Sequence, residues 1–233
     1  LKSDGTIVGW GYYAIGQPPL PTSLNGVEKI ALGYDFTAAL TNEGNINVWG
    51  FHGEDKAVPL GLDSVIKIAA GDSHLLALKS DGTVVAWGTN EYGQINVPVN
   101  LTGVVDIAAN GVSSVVVKSD GSVIEWGLPY IEEDTDFDPF AITKMPNDLA
   151  DVLAITLGSE HTVALKSNGT VVAWGMNHAR DDALGYHDII QISAASQYTV
   201  ALRSNGTVVQ WGKWTTWNES NLYLKPVTNE TVP

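Results

Sequence analysis

The chain has no cysteine, two methionines and only 12 lysines and arginines in 233 residues. Without thiols there is no disulfide, no thiolate metal site and no cysteine nucleophile. The 12 basic residues face 26 acidic ones, for a net charge of −14. That sign repels phosphate backbones, and no basic stripe offsets it locally, so nucleic acid is not an expected partner. No apolar run approaches the ~20 residues that a membrane-spanning helix needs. Gly-x-Ser-x-Gly, Walker and dinucleotide fingerprints are all missing. Only two arginines are present, Arg180 and Arg203, too few for a three-arginine grip on a substrate carboxylate. No cofactor is expected.

What is abundant is glycine, with 24 residues, and a ten-residue device built on it. Residues 79–88 read KSDGTVVAWG: an Asp-Gly turn signal, a β-branched run, then Trp-Gly. Related copies end at Trp10, Trp49, Trp126, Trp174 and Trp211, so the steps along the chain are 39, 38, 39, 48 and 37 residues. A fixed period near 38 marks a repeat architecture. Within each copy, an IAAG-type run, a run such as HLLALK and the β-branched run read as three short strands. Asp81-Gly82, Asp120-Gly121, Asn168-Gly169 and Asn205-Gly206 predict tight hairpins with both central residues at positive φ.

The strands are apolar on both faces, unlike a sheet with one wet face. Six small antiparallel meanders buried on both sides predict an all-β fold, a β-propeller of three- to four-stranded blades, six or seven in number. The repeat runs unbroken from 1 to 233, which predicts one domain. Leu1 falls inside a second strand, so the chain reads as a trimmed piece of a longer one. The repeated tryptophans are the expected inter-blade core, each able to bury roughly 150–250 Å².

Residues 68–98, IAAGDSHLLALKSDGTVVAWGTNEYGQINVP, carry a pattern that resembles the regulator-of-chromosome-condensation repeat. The short period and the linkers are most similar to the propeller-type β-lactamase inhibitors secreted by bacteria. That resemblance implies a seven-bladed propeller, extracellular or at the cell surface, non-catalytic, whose loops on one face grip a protein partner. The eukaryotic exchange-factor and chromatin roles of the wider family do not transfer, because the charge has the wrong sign.

Candidate sites follow from the meander. If the Asp-Gly turns mark one end, the first-to-second strand loops and the linkers after Trp-Gly leave from the other. The loops place Tyr34, Asp35 and Asp72 there. The early linkers add Tyr12, Tyr13, Phe51, His52, Glu91 and Tyr92, and the later ones Tyr130, His178, Trp214 and Trp217. Loops favour small polar residues, so recurrent aromatics there suggest binding anchors. The expectation is a protein partner on this face, a monomeric chain and no membrane insertion. The alternative is a scaffold or adhesive, carbohydrate-binding segment of a large bacterial surface protein.

His74 and His161 share a repeat position with Phe36, which makes them packing residues. Asp134, Asp136 and Asp138 open like a calcium loop, but Pro139 stands where an EF-hand requires glycine. A solvated acidic loop is the preferred reading there, and no metal is expected.

Overall fold

The computed structural model describes residues 1–3, 5–8, 21, 24–50, 57–127, 142–143, 145–158, 161–176, 185–195 and 198–212. Among them every regular element is a β-strand, and no helix is long and apolar enough to cross a membrane. The first sheet holds β1 (Val27–Leu32), β2 (Phe36–Thr41) and β3 (Ile46–Gly50). The second holds β4 (Val65–Ala70), β5 (His74–Lys79) and β6 (Val84–Gly88). The third holds β7 (Val104–Asn110), β8 (Ser113–Lys118) and β9 (Val123–Gly127). In the fourth, β11 (Val152–Leu157), β12 (His161–Lys166) and β13 (Val171–Met176) are joined by β10 (Ile142–Thr143), outside β13. The fifth holds β14 (Ile189–Ala195), β15 (Tyr198–Arg203) and β16 (Val208–Gly212).

Four of the sheets run in chain order, and the fourth sheet has the order β10-β13-β12-β11. Five of the six expected meanders form these sheets, because apolar residues on both faces suit a fully covered sheet; residues 5–8 of the first copy form no strand, and β10 was not expected. The fold is all-β and of the propeller type, built from antiparallel three-stranded blades, one extended to four.

The hairpins depart from expectation at one point. The glycines of the turns have positive φ, 81° at Gly44, 79° at Gly82 and 78° at Gly169, but the residues before them do not. Gly82 N donates to Lys79 O at 3.0 Å, and Lys79 N to Thr83 O at 2.9 Å. This is a type I turn closed by a glycine bulge, not a two-residue type I′ turn. The Asp81 carboxylate holds it, accepting from Thr83 N at 3.0 Å and Thr83 Oγ1 at 2.6 Å. Asn168 and Thr170 repeat the arrangement. A second feature was not legible: the first strands carry a register shift at their second residue, as between Val65 and Lys67. The extra residue, such as Ile66, stands exposed.

The residues group into two compact units, Leu1–Val116 with Glu125–Pro129, and Val117–Ile124 with Tyr130–Pro233. In the first, Phe36, Ala38 and Leu40 form one core cluster with Ile68, Leu75, Ala77 and Trp87 of the next sheet. Lys67 of β4 also pairs with Asp106 of β7. In the second unit, Val163, Leu165 and Ala173 cluster with Ile189, Ala201 and Trp211, and the Trp211 indole stacks on Tyr186 at 5.3 Å. The repeated indoles are thus core where they are fully covered: Trp87, Trp174 and Trp211 are buried. Trp49 and Trp126 are half-buried, and Trp10 lies outside the described residues.

Candidate protein-binding site

In the first three sheets the end of the third strand is pressed onto the loop between the first two strands of its own sheet. A Cβ at Gly88 would lie 2.6 Å from Ser73 O, and one at Gly50 2.4 Å from Asp35 O. Gly88 also has φ +110°, so the Trp-Gly glycine answers both a steric and a conformational demand. Thr89 N then donates to Ser73 O at 2.9 Å. Linker and loop therefore leave the sheet together, as the meander predicts.

In the first unit the loops also join one another. Tyr34 N donates to Asp72 O at 3.2 Å, and Asp72 N to Gly111 O at 2.9 Å. Three successive sheets thus line up their loops in one hydrogen-bonded row. Beneath it, each loop closes on the first residue of the second strand: Gly33 N bonds Phe36 O, and Gly71 N bonds His74 O.

His74 is buried, and its Nε2 lies 2.9 Å from Ser114 Oγ of the next sheet. The Ser114 hydroxyl gives its one proton to Gln94 O at 2.8 Å, so the imidazole is the donor to Ser114. Burial pushes the His74 pKa down to about 4, against an opposing hydrogen bond to the Ser113 backbone. His161 makes the corresponding bond to Thr199 Oγ1 at 2.7 Å. Where the ring is Phe36, the residue at the facing position is Leu75, in the same apolar cluster. These histidines match their neighbour sheet, and nothing in their setting suits catalysis.

Gln94 fixes the linker that carries Glu91 and Tyr92. It is 1% exposed; its carbonyl accepts from Ser114 Oγ and, at 2.9 Å, from Trp126 Nε1. Its Oε1 accepts from Tyr92 N at 2.9 Å. Asn90 braces the same turn through Ile95 N and Asn96. The Gly-Gln pair is legible in the sequence as part of the repeat, but its anchoring role is not.

Of the expected anchors, Tyr34 is 86% exposed and Tyr92 47%. Asp72 and Glu91 are exposed, and Asp35 is half-buried. Leu32, 71% exposed at the foot of the Tyr34 loop, was not singled out from sequence, because it reads as a strand residue. The expected residues Tyr12, Tyr13, Phe51, His52, Tyr130, His178, Trp214 and Trp217 lie outside the described residues. So do Asp134, Asp136 and Asp138. Among the described residues no group of three or more His, Cys, Asp or Glu could hold a metal ion.

Residues 27–54, 65–94 and 152–179 match the regulator of chromosome condensation (RCC1) repeat. No curated protein matches the chain. Among solved structures, Prp20p from Saccharomyces cerevisiae is 22% identical, with a TM-score of 0.60 over 78% of this chain and 57% of that one. The CRINKLY WD40 ectodomain of the Arabidopsis thaliana receptor kinase ACR4 is 20% identical, with a TM-score of 0.67 over 87% and 72%. Human WBSCR16 is 20% identical, with a TM-score of 0.61 over 80% and 61%. The chain spans less than two thirds of Prp20p and of WBSCR16. The repeated sheets, their Trp-Gly ends and these matches together make the fold an RCC1-type β-propeller.

Proposed function

We propose that this chain is a non-catalytic binding propeller that holds a protein partner on the end where the first-to-second strand loops and the linkers meet. One observation carries the reading: a hydrogen-bonded row of loops presents Tyr34, 86% exposed, at the end where the Tyr92 linker leaves its sheet. Exposed aromatics on a braced backbone lose little entropy on binding, which is why such residues dominate interface energetics. Asp72 and Glu91 alongside favour a basic partner surface and faster encounter at low salt. Prp20p, which is similar in fold, binds Gsp1p and histones. The repeat's likeness to bacterial inhibitor propellers makes a secreted enzyme such as a β-lactamase the first partner to try, outside the cell.

The similarity to a receptor-kinase ectodomain supports a second reading, a repeat segment of a larger surface protein. Binding to a panel of secreted β-lactamases, read by interferometry, tests the first. Tyr34→Ala with Tyr92→Ala is expected to weaken binding about tenfold or more, with the melting temperature nearly unchanged. Parallel loss of binding and melting temperature would make the rings core. Failure of every enzyme to bind would favour the second reading.

A further inference from the structure

The loop between β7 and β8 departs from the repeat at one position. Three of the other loops open on glycine, at Gly33, Gly71 and Gly158, but this one opens on Asn110 followed by Gly111. An Asn-Gly pair can rearrange by itself, because glycine has no Cβ to keep the preceding side chain away from its nitrogen. The chain has four such pairs, Asn25-Gly26, Asn110-Gly111, Asn168-Gly169 and Asn205-Gly206. The fold treats three of them in two opposite ways.

In the hairpins the two reacting groups are held apart. Gly169 N donates to Lys166 O at 2.9 Å, while Asn168 Oδ1 accepts from Thr170 N at 3.0 Å and Thr170 Oγ1 at 2.7 Å. Gly206, Asn205 and Thr207 repeat the arrangement. Nitrogen and side chain face different partners, and these bonds must open before the two can meet. At Asn110 the side chain is turned onto its own successor: Gly111 N donates to Asn110 Oδ1 at 2.7 Å. That bond sets the nitrogen beside Cγ, the atom it has to attack, in the manner of a near-attack conformer. Gly111 has φ +50°, and no atom lies within 4 Å of the place a Cβ would take, so ring closure has room. Both residues are half-buried, within reach of water.

We propose that Asn110 is a self-processing modification site, converting through a succinimide to aspartate and isoaspartate, and that isoaspartate unhooks the third sheet from the loop row. Water or hydroxide takes the proton from Gly111 N. The nitrogen bonds to Cγ, the Cγ–Nδ2 bond breaks, and ammonia leaves. Water then opens the ring at either carbonyl. One opening gives aspartate; the other routes the main chain through Cβ and Cγ and lengthens it by a methylene. Gly111 O accepts from Asp72 N at 2.9 Å, so a backbone lengthened one residue earlier carries that acceptor away from Asp72. Either product adds a negative charge beside the row. The chemistry and the unhooking stand on Asn110, Gly111 and Asp72; only their effect on a partner rests on the binding role proposed above.

The test ages the whole chain at mildly alkaline pH and follows each Asn-Gly peptide by mass spectrometry, with isoaspartyl methyltransferase labelling to mark isoaspartate. Asn110 is expected to convert about tenfold or more faster than Asn168 and Asn205, whose reaction waits on local opening. In urea the three rates are expected to converge, which traces the selectivity to the fold. Thr170→Val, which takes away the hydroxyl bond to Asn168, is expected to speed conversion at Asn168 alone. In the isoaspartate-bearing fraction the Asp72 amide is expected to exchange hydrogen about tenfold faster. Asn110→Gln, which cannot form the five-membered ring, is expected to keep that amide protected after the same ageing.

Equal rates at the three asparagines in the folded chain, or a lead of the same size for Asn110 in urea, would overturn the site. An unchanged Asp72 amide in the isoaspartate-bearing protein overturns the unhooking. Neither readout uses a partner, so failure of every enzyme to bind leaves both results standing.

Discussion

A single side chain shows how each sheet is matched to the next. His74 faces Ser114, His161 faces Thr199, and Phe36 shares a cluster with Leu75. Polar ring meets hydroxyl and apolar ring meets aliphatic, so each imidazole Nε2 finds a hydroxyl partner on the next sheet. The His74 imidazole is neutral when folded, with a pKa near 4 against 6.5 when unfolded. Between those values the unfolded chain binds the extra proton, so stability falls as pH drops from 6.5 and levels off below 4. The loss at one site is about 3 kcal/mol. In urea titrations from pH 7 to 4, His74→Phe is expected to remove that slope relative to the parent chain; parallel curves would place the titration elsewhere. Another residue-level test concerns Ser64, Asp151 and Asp188, which precede a first strand with φ of 57°, 61° and 66°. Gly26 holds the same position with φ 64°. Ser64→Gly is expected to raise stability by about 0.5–1 kcal/mol, read as a shifted urea midpoint.

At the scale of the strand and turn, the Trp-Gly pair does two jobs. The indole fills the space between sheets, and the glycine lets the strand end touch its own loop. Trp87→Ala is expected to cost about 3–5 kcal/mol, through the lost burial and the cavity left behind. Gly88→Ala adds a Cβ 2.6 Å from Ser73 O at a φ of +110° and is expected to cost about 2 kcal/mol or more. Tyr34→Ala, on an exposed ring, is expected to stay within about 0.5 kcal/mol of the parent. Calorimetry of the three variants separates core, backbone and rim. The strand pattern and the hairpin positions were legible, since both depend on neighbours a few residues apart. The turn type was misjudged, because Asp81 and Thr83 settle it through a side-chain bond that the Asp-Gly pair alone does not display.

For the whole molecule the governing quantity is charge. With −14 on 233 residues, self-repulsion opposes compaction, and few ion pairs offset it among the described residues. Raising salt from about 10 to 150 mM is expected to raise the melting temperature while slowing association with a basic partner. A falling melting temperature would mean that pairs such as Lys67–Asp106 outweigh the net repulsion. The sequence by itself determined the repeat, its strands, the buried tryptophans and the lack of thiols. Each of those depends on residue type, local spacing or a regular period. Only the tertiary structure decided that Tyr34 stands in solvent, that Gln94 anchors the Tyr92 linker, and that one edge carries a fourth strand. These depend on contacts between segments tens of residues apart, such as the bonds from Gln94 to Ser114 and Trp126, and no local pattern encodes which partner arrives.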